Sequence, residues 1–394
     1  MTLRVSQHHS CRVYGAIFVS GKNSHVGDCC PFNQVFLGDA LDILPTLPEE
    51  CVDLVFADPP YNLQLKEDLW RPNLTRVDAV DDGWDQFASF ADYDAFTRAW
   101  LTGCRRLMKD SATIWVSGTY HNIFRVGTIM QDLGFWILNT VTWFKSNAMP
   151  NFNGTRLKND VEFVIWAKKS PDSRYTFHHH RMKPFNDFSP GKQLGSVWKI
   201  QATGGAERLR DADGKKLHST QKPEELLRRI LLASSSPGDV VFDPFLGSGT
   251  TAAMSQHLRR QWFGIERDPA YVALIQERLE HVTPLPLDDP LLAEPPKPPR
   301  VAFRRLLEAG YLQAGDRLWF DQPDCEAVIL PDGRLQAGDQ VGSIHRLGAQ
   351  LKGTPSCNGW MHWQYQDANG QFRPLDDLRQ QYRAKLKPGD HERS

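Results

Sequence analysis

The 394-residue chain reads as an α/β protein: a doubly wound, mainly parallel seven-stranded sheet, followed by a small β-rich C-terminal domain. Three observations predict this. Between Phe32 and about Val282, short apolar runs alternate with amphipathic stretches, as expected of strands covered by helices on both faces. Two of those runs end in turn motifs rich in Pro or Gly, at Asp58 and at Asp243. Beyond a proline-crowded stretch, 284–299, short strand-like runs are punctuated by Pro331-Asp332-Gly333 and Ala368-Asn369-Gly370.

The runs Val35–Gly38, Val52–Ala57, Thr113–Ser117, Asn139–Trp143, Glu162–Ala167, Val240–Asp243 and Trp262–Glu266 supply the seven strands. Tyr93–Leu107, Glu224–Ser234 and Thr251–Leu258 read as helices. Pro223 suits the first turn of the second, with Glu224 and Glu225 beside its positive dipole end. Four zones follow: a leader over 1–31, expected to be disordered, a catalytic domain over 32–283, a stiff linker over 284–299, and a last domain over 300–394.

Composition narrows the class. Forty-one per cent apolar and 24% charged residues suit a globular core, and no apolar run approaches the roughly 20 residues of a membrane span. Seven scattered cysteines argue against a disulfide framework and predict a cytoplasmic protein. A net charge of −1 leaves nucleic-acid binding to local basic patches. The leader carries His8, His9, Cys11, His25, Cys29 and Cys30 without metal-ligand spacing, so no metal is expected.

Asp58-Pro59-Pro60-Tyr61 follows Val52–Ala57 directly, at the strand end where open parallel sheets gather ligands. Two prolines restrain the backbone, so the Pro59 carbonyl is held into the site. An exocyclic base amine is a poor nucleophile because its lone pair is delocalised. The Asp58 carboxylate and the Pro59 carbonyl can hold its two hydrogens, while Tyr61 stacks on the base. The second motif is Asp243-Pro244-Phe245-Leu246-Gly247-Ser248-Gly249-Thr250-Thr251, between a strand and a helix. Its glycines allow a ligand to approach the backbone, and Glu266, at the end of the next strand, can grip ribose hydroxyls. Alone, this motif also fits a NAD-dependent oxidoreductase; that reading leaves Asp58–Tyr61 unexplained.

Together the two motifs resemble those of the DNA amino-methyltransferases. The catalytic motif precedes the glycine motif, which resembles the circularly permuted β class. The likeness extends over Asn62–Leu65, 77–82 and 120–127, and over Gly342–His345 and Cys357–Trp360 of the tail. These segments resemble the bacterial cell-cycle-regulated enzymes that methylate adenine N6 in GANTC. The resemblance implies a Rossmann-like methyltransferase sheet with S-adenosylmethionine as cofactor. It implies double-stranded DNA as substrate, base flipping, and direct transfer without a covalent intermediate; a homodimer is compatible with it. The acceptor geometry equally suits N4 of cytosine. Asp39 matches an acidic position near the cofactor adenine, and Thr220-Gln221-Lys222-Pro223 a segment against its methionine end. The cofactor set is then Asp39, Thr220, Lys222, Asp243, Pro244, Phe245, Gly247, Ser248, Gly249, Thr250 and Glu266.

For DNA, Lys66, Arg71 and Arg76 lie in a sparsely apolar stretch after the catalytic strand. Lys168, Arg174 and Arg181 belong to a basic strip suited to phosphate. Asn147–Arg156 resembles a family segment near the flipped base. In the tail, Ser343, His345, Asn358 and Trp360 are candidate contacts, with core packing the rival role for Trp360.

Overall fold

The computed structural model describes residues 30–63, 85–148, 150, 154–210, 214, 217, 220–293 and 299–386, together with the backbone of Val19–Ser20. Two compact units divide at Pro295/Pro296.

The first unit is a nine-stranded sheet. In chain order its strands are β1 Val19–Ser20, β2 Gln34–Leu37, β3 Val52–Ala57, β4 Met108–Gly118, β5 Trp136–Phe144, β6 Val161–Lys168, β7 Val197–Lys199, β8 Val240–Asp243 and β9 Gln261–Glu266. They lie in the order β1-β2-β9-β8-β3-β4-β6-β5-β7. Only β6 runs against the rest, pairing antiparallel with both β4 and β5. All seven expected strands are present. The two additions are β1 and β7, edge strands of two and three residues, too short to leave a periodic pattern. Most of the expected disordered leader lies outside the described residues, but Val19 and Ser20 pair with Phe36 and Leu37.

The helices are α1 Ala40–Ile43, α2 Phe90–Leu107, α3 Ile123–Asp132, α4 His179–Met182, α5 Glu224–Ser234, α6 Thr250–His257 and α7 Pro269–Glu280. Ser89 caps α2 by accepting from the Asp92 amide. Trp100, Leu101 and Leu107 of α2 and Val126 and Met130 of α3 bury against one sheet face. Leu227 and Leu231 of α5, Met254 of α6 and Ile275 of α7 cover the other. After β3 the chain winds through α2 to β4, and after β8 through α6 to β9. Adjacent strands β3 and β8 are thus followed by helices on opposite faces, which opens a crevice at their carboxyl ends.

The expected linker begins too early. Leu285 exchanges hydrogen bonds with the α6 end, donating to the His257 carbonyl at 2.8 Å and accepting from the Arg259 guanidinium. Leu292 is buried in the second core cluster. Leu285, Leu291 and Leu292 among the prolines supply apolar area that packs better than it solvates, so 284–292 belongs to the first unit.

The second unit is a six-stranded antiparallel sheet, β10 Arg317–Phe320, β11 Gln322–Ile329, β12 Leu335–Ala337, β13 Gln340–Gly342, β14 Trp363–Gln366 and β15 Phe372–Pro374, in the order β13-β12-β11-β10-β14-β15. Helices α8 Phe303–Glu308, α9 Ile344–Lys352, α10 Gly359–His362 and α11 Leu375–Lys385 accompany it. Trp360 and Trp363 are buried in its core, the Trp363 indole donating to the Ile344 carbonyl at 2.9 Å.

Candidate active site

A cavity of about 530 Å³ opens at the crevice between β3 and β8. Asp58, Pro59, Pro60 and Tyr61 line it. So do Asp39, Thr220, Lys222, Asp243, Pro244, Phe245, Gly247, Ser248, Thr250 and Glu266. Two motifs separated by about 185 positions of sequence therefore face one space. Gly249 stands apart. It is left-handed at φ 73°, and a Cβ there would lie 2.8 Å from Ile275 Cγ1, so this glycine serves α6–α7 packing rather than a ligand.

The Asp58–Tyr61 corner is held by polar groups from distant segments. The Tyr61 hydroxyl donates to Asp58 Oδ1 at 2.7 Å and lies 3.2 Å from Ser117 Oγ, at the end of β4. Lys222 Nζ is 2.5 Å from Asp58 Oδ2 and 5.2 Å from the centre of the Tyr61 ring. Glu162, near the start of β6, accepts from Lys145 Nζ at 3.0 Å and reaches to 3.5 Å of the Tyr61 hydroxyl. Because β6 is reversed, its first residues meet the carboxyl ends of the parallel strands. Burial, then the nearby Asp58 and Glu162 charges, push the Tyr61 phenol well above its usual value, so it stays a hydrogen-bonding phenol. Burial works against the Lys222 charge, but Asp58 and Glu162 hold its ammonium above the ordinary lysine value. Tyr93 donates to the Pro60 carbonyl at 2.9 Å and is itself bonded by Asn122 at 3.1 Å. The Pro59 carbonyl accepts no hydrogen bond from the described residues.

The glycine loop is equally tied. Gly247, at φ 51°, donates its amide to Glu266 Oε2 at 2.7 Å, and Asp268 donates to Glu266 Oε1 at 2.9 Å. Burial raises the Glu266 carboxyl. Asp243 accepts from Thr251 at 2.6 Å and from the Phe245 amide at 2.9 Å, yet burial pushes it up to about 7. Asp39 caps α1 by accepting from the Leu41 amide at 2.8 Å. Six acidic side chains (Asp39, Asp58, Asp85, Asp243, Glu266 and Asp268) line one cavity beside the aromatic rings of Phe56, Phe87, Phe96, Phe245 and Tyr271. Such a lining fits a molecule with a cationic end, hydroxyls and a planar base.

Sequence reasoning missed Asp85, Tyr93, Asn122, Lys145, Glu162 and Ser117, since nothing local marks which polar side chain will turn inward. Lys222, expected against the cofactor, lines the cavity and pairs its ammonium with the Asp58 carboxylate.

The DNA candidates divide. Lys66, Arg71 and Arg76 lie outside the described residues. Lys168 braces a turn, donating to the carbonyls of Pro171 and Ser173 at 2.6 and 2.9 Å. Arg181 corrects the expectation outright: it is 5% exposed and reaches the Leu292 carbonyl at 3.2 Å, inside the protein. Arg174 is exposed. Asn147 bridges to Ala202, accepting at 2.8 Å and donating at 3.0 Å, and Arg156 donates to the Tyr120 hydroxyl at 3.0 Å. In the second unit Ser343 caps α9, and His345 accepts the Gly359 amide at 3.1 Å; both are exposed, as is Asn358. Trp360 is not available to DNA. It is 5% exposed, edge-on to Phe303 at 6.1 Å, with the Arg379 guanidinium over its ring at 4.7 Å. Among the described residues no three His, Cys, Asp or Glu side chains gather as a metal site, and no helix is long and apolar enough to cross a membrane.

The fold thus brings the Asp58–Tyr61 corner and the glycine loop to one cavity at the strand ends. Residues 52–277 match the N6/N4 DNA methylase family, and 288–388 match a module described as Restriction Enzyme Adenine Methylase Associated. The chain is 42% identical over 350 residues to the type II methyltransferase M.HinfI of Haemophilus influenzae, covering 89% of this chain and 96% of that one. It is 38% identical over 243 residues to the type II methyltransferase M2.LlaDCHI of Lactococcus lactis subsp. cremoris, covering 61% and 87%. The cytosine-N4-specific PvuII DNA methyltransferase shares the fold, with 20% identity, a TM-score of 0.50, and coverage of 66% and 89%. This chain belongs to the N6/N4 DNA methylase family. It is a DNA methyltransferase with S-adenosylmethionine as its cofactor.

Proposed function

We propose that this enzyme methylates N6 of adenine in double-stranded DNA, at GANTC, on a base turned out of the helix. One observation carries the reading. Asp58 and Pro59, whose carboxylate and carbonyl are the two acceptors an amine needs, line the same cavity as the glycine loop. When bound, S-adenosylmethionine supplies an electrophilic methyl group. Gly247, Asp243, Glu266 and Asp39 would hold that cofactor. The chain's own residues prepare the nucleophile. The Asp58 carboxylate accepts one amine hydrogen and the Pro59 carbonyl the other, which favours the pyramidal nitrogen. Lys222 and the Tyr61 hydroxyl fix the Asp58 carboxylate from two sides. The Tyr61 ring stacks on the base, and a turned-out base is needed because the corner is partly buried.

Aspartate at position 58 supports adenine through the family resemblance, as does the match of 288–388 to an adenine-methylase-associated module. The second unit is assigned DNA recognition, with exposed Ser343, His345 and Asn358 as contacts and Arg174 as a phosphate contact of the first unit. A working homodimer, a cytoplasmic site of action and activity linked to replication and the cell cycle complete the proposal. The rival is N4-cytosine methylation, favoured by the fold shared with a cytosine-N4 enzyme. Nucleoside mass spectrometry of duplexes treated with the purified protein decides between them. N6-methyladenine confined to GANTC is expected; N4-methylcytosine overturns the reading.

A further inference from the structure

Asp85 belongs to neither motif, yet it is 6% exposed beside the catalytic corner. Its Oδ1 accepts the backbone amides of Tyr61 and Asn62, the latter at 2.8 Å, and its Oδ2 accepts that of Leu63 at 3.0 Å. Three successive amides converging on one anion form a backbone nest, here filled by a side chain 22 to 24 positions away. The nest needs an unusual backbone: Asn62 is left-handed at φ 52°, a conformation that persists in a non-glycine residue only where surrounding contacts enforce it. Asp85 supplies those contacts.

We propose that Asp85 is a positioning residue for methyl transfer, its buried carboxylate clamping the backbone of 61–63 so that Tyr61 and the Pro59 carbonyl keep their places. The proposal rests on the reading of Asp58–Tyr61 as the amine-binding corner. The clamp acts just after the second proline, and Tyr93 separately holds the Pro60 carbonyl at 2.9 Å. With both anchors made, the Pro59 carbonyl cannot turn away by rotating the peptides that follow it. The Tyr61 hydroxyl likewise stays within 2.7 Å of Asp58. Without the clamp, Asn62 relaxes from its left-handed conformation and carries Tyr61 with it.

Asp85→Ala and Asp85→Asn, made in the full chain, test this with a GANTC duplex, alongside Asp58→Asn. A shift of the reacting groups by an ångström predicts a fall in kcat of about 100-fold in Asp85→Ala. Asp85→Asn recovers part of it, because an amide oxygen still accepts from two of the three amides. A merely structural residue would lose kcat and cofactor affinity together. A positioning residue leaves the calorimetric Kd for S-adenosylmethionine and the KM for DNA within about threefold of wild type. Wild-type kcat in Asp85→Ala, or parallel loss of kcat and cofactor affinity in both variants, overturns the proposal. If Asp85→Ala does not fold, Asp85→Asn decides by the same split. Full transfer by Asp58→Asn would instead overturn the reading of the corner itself; a silent Asp85→Ala beside an inactive Asp58→Asn removes only the clamp.

Discussion

The Asp58–Tyr61 corner of the first unit and the 343–363 face of the second both gather polar and aromatic side chains, in opposite settings. Asp58, Tyr61 and Lys222 are largely withdrawn from water and bonded to one another, Lys222 lying 2.5 Å from Asp58. Ser343, His345 and Asn358 are exposed, and the aromatic group among them, Trp360, has gone into the core. The contrast fits the tasks proposed for them. Orienting an amine for attack requires fixed acceptors in a low-dielectric pocket, where each polar group must be paired. Reading a base edge requires polar groups left open to a partner.

The sharpest way to break the comparison is at Asp58. Asp58→Asn keeps the shape and removes the charge, and should cut methylation by at least about 100-fold, the loss typical of an acid–base group. Calorimetry should show S-adenosylmethionine still binding. Either substitution leaves buried Lys222 without its carboxylate, a change worth about 3–5 kcal/mol of stability, and Asp58→Ala also removes the acceptor of the Tyr61 hydroxyl. Near-normal turnover in Asp58→Asn would reduce the corner to a structural turn.

In the second unit, Trp360→Ala should cost about 3–5 kcal/mol as a large core side chain, read by thermal or urea denaturation. Asn358→Ala should leave the melting temperature alone and weaken discrimination for the DNA site by about 1–3 kcal/mol, read by competition binding. Unchanged DNA affinity in Asn358→Ala, with altered affinity in a fully folded Trp360 variant, would reverse the assigned roles.

A further expected effect concerns pH. Asp243 is raised to about 7 in the fold, far above a free carboxylate. Between roughly pH 4 and 7 the folded protein therefore holds a proton there that the unfolded chain has released. Its contribution to stability is complete below the unfolded value, falls as pH rises, and is gone above about 7. The slope is at most about 1.4 kcal/mol per pH unit. Urea midpoints at several pH values should show a shallower decline in Asp243→Asn than in the parent; parallel curves would remove Asp243 as the source.

Sequence patterns and the folded chain agree where a local rule applies. Apolar runs such as Val52–Ala57 bury nearly completely, so they announce central strands, and both motifs sit where strand ends place them. Edge strands β1 and β7 carry too few residues to announce anything. Arg181 reads with its basic neighbours as surface, but charge runs do not reveal that one member folds back onto the Leu292 carbonyl. Glu162, Asp85 and Tyr93 reach the corner from β6, from the end of a long connection and from α2. Only tertiary structure brings them within reach.

The reversed strand also sets a counting rule. Glu162 meets the corner because β6 pairs in a fixed register, Phe163 opposite Gly118 and Glu162 opposite Trp143. Side chains alternate along a strand, so one codon inserted within 161–168 would carry Val161 or Phe163 to the place of the carboxylate. The connection before it is closed at its base by the Lys145 amide on the Asp160 carbonyl at 2.7 Å, so added residues there need not propagate into the strand. A library of single-codon insertions should thus recover active clones more often between 146 and 159 than from 161 to 168, making reading distance, beside the identity of Glu162, the property this part of the gene must preserve.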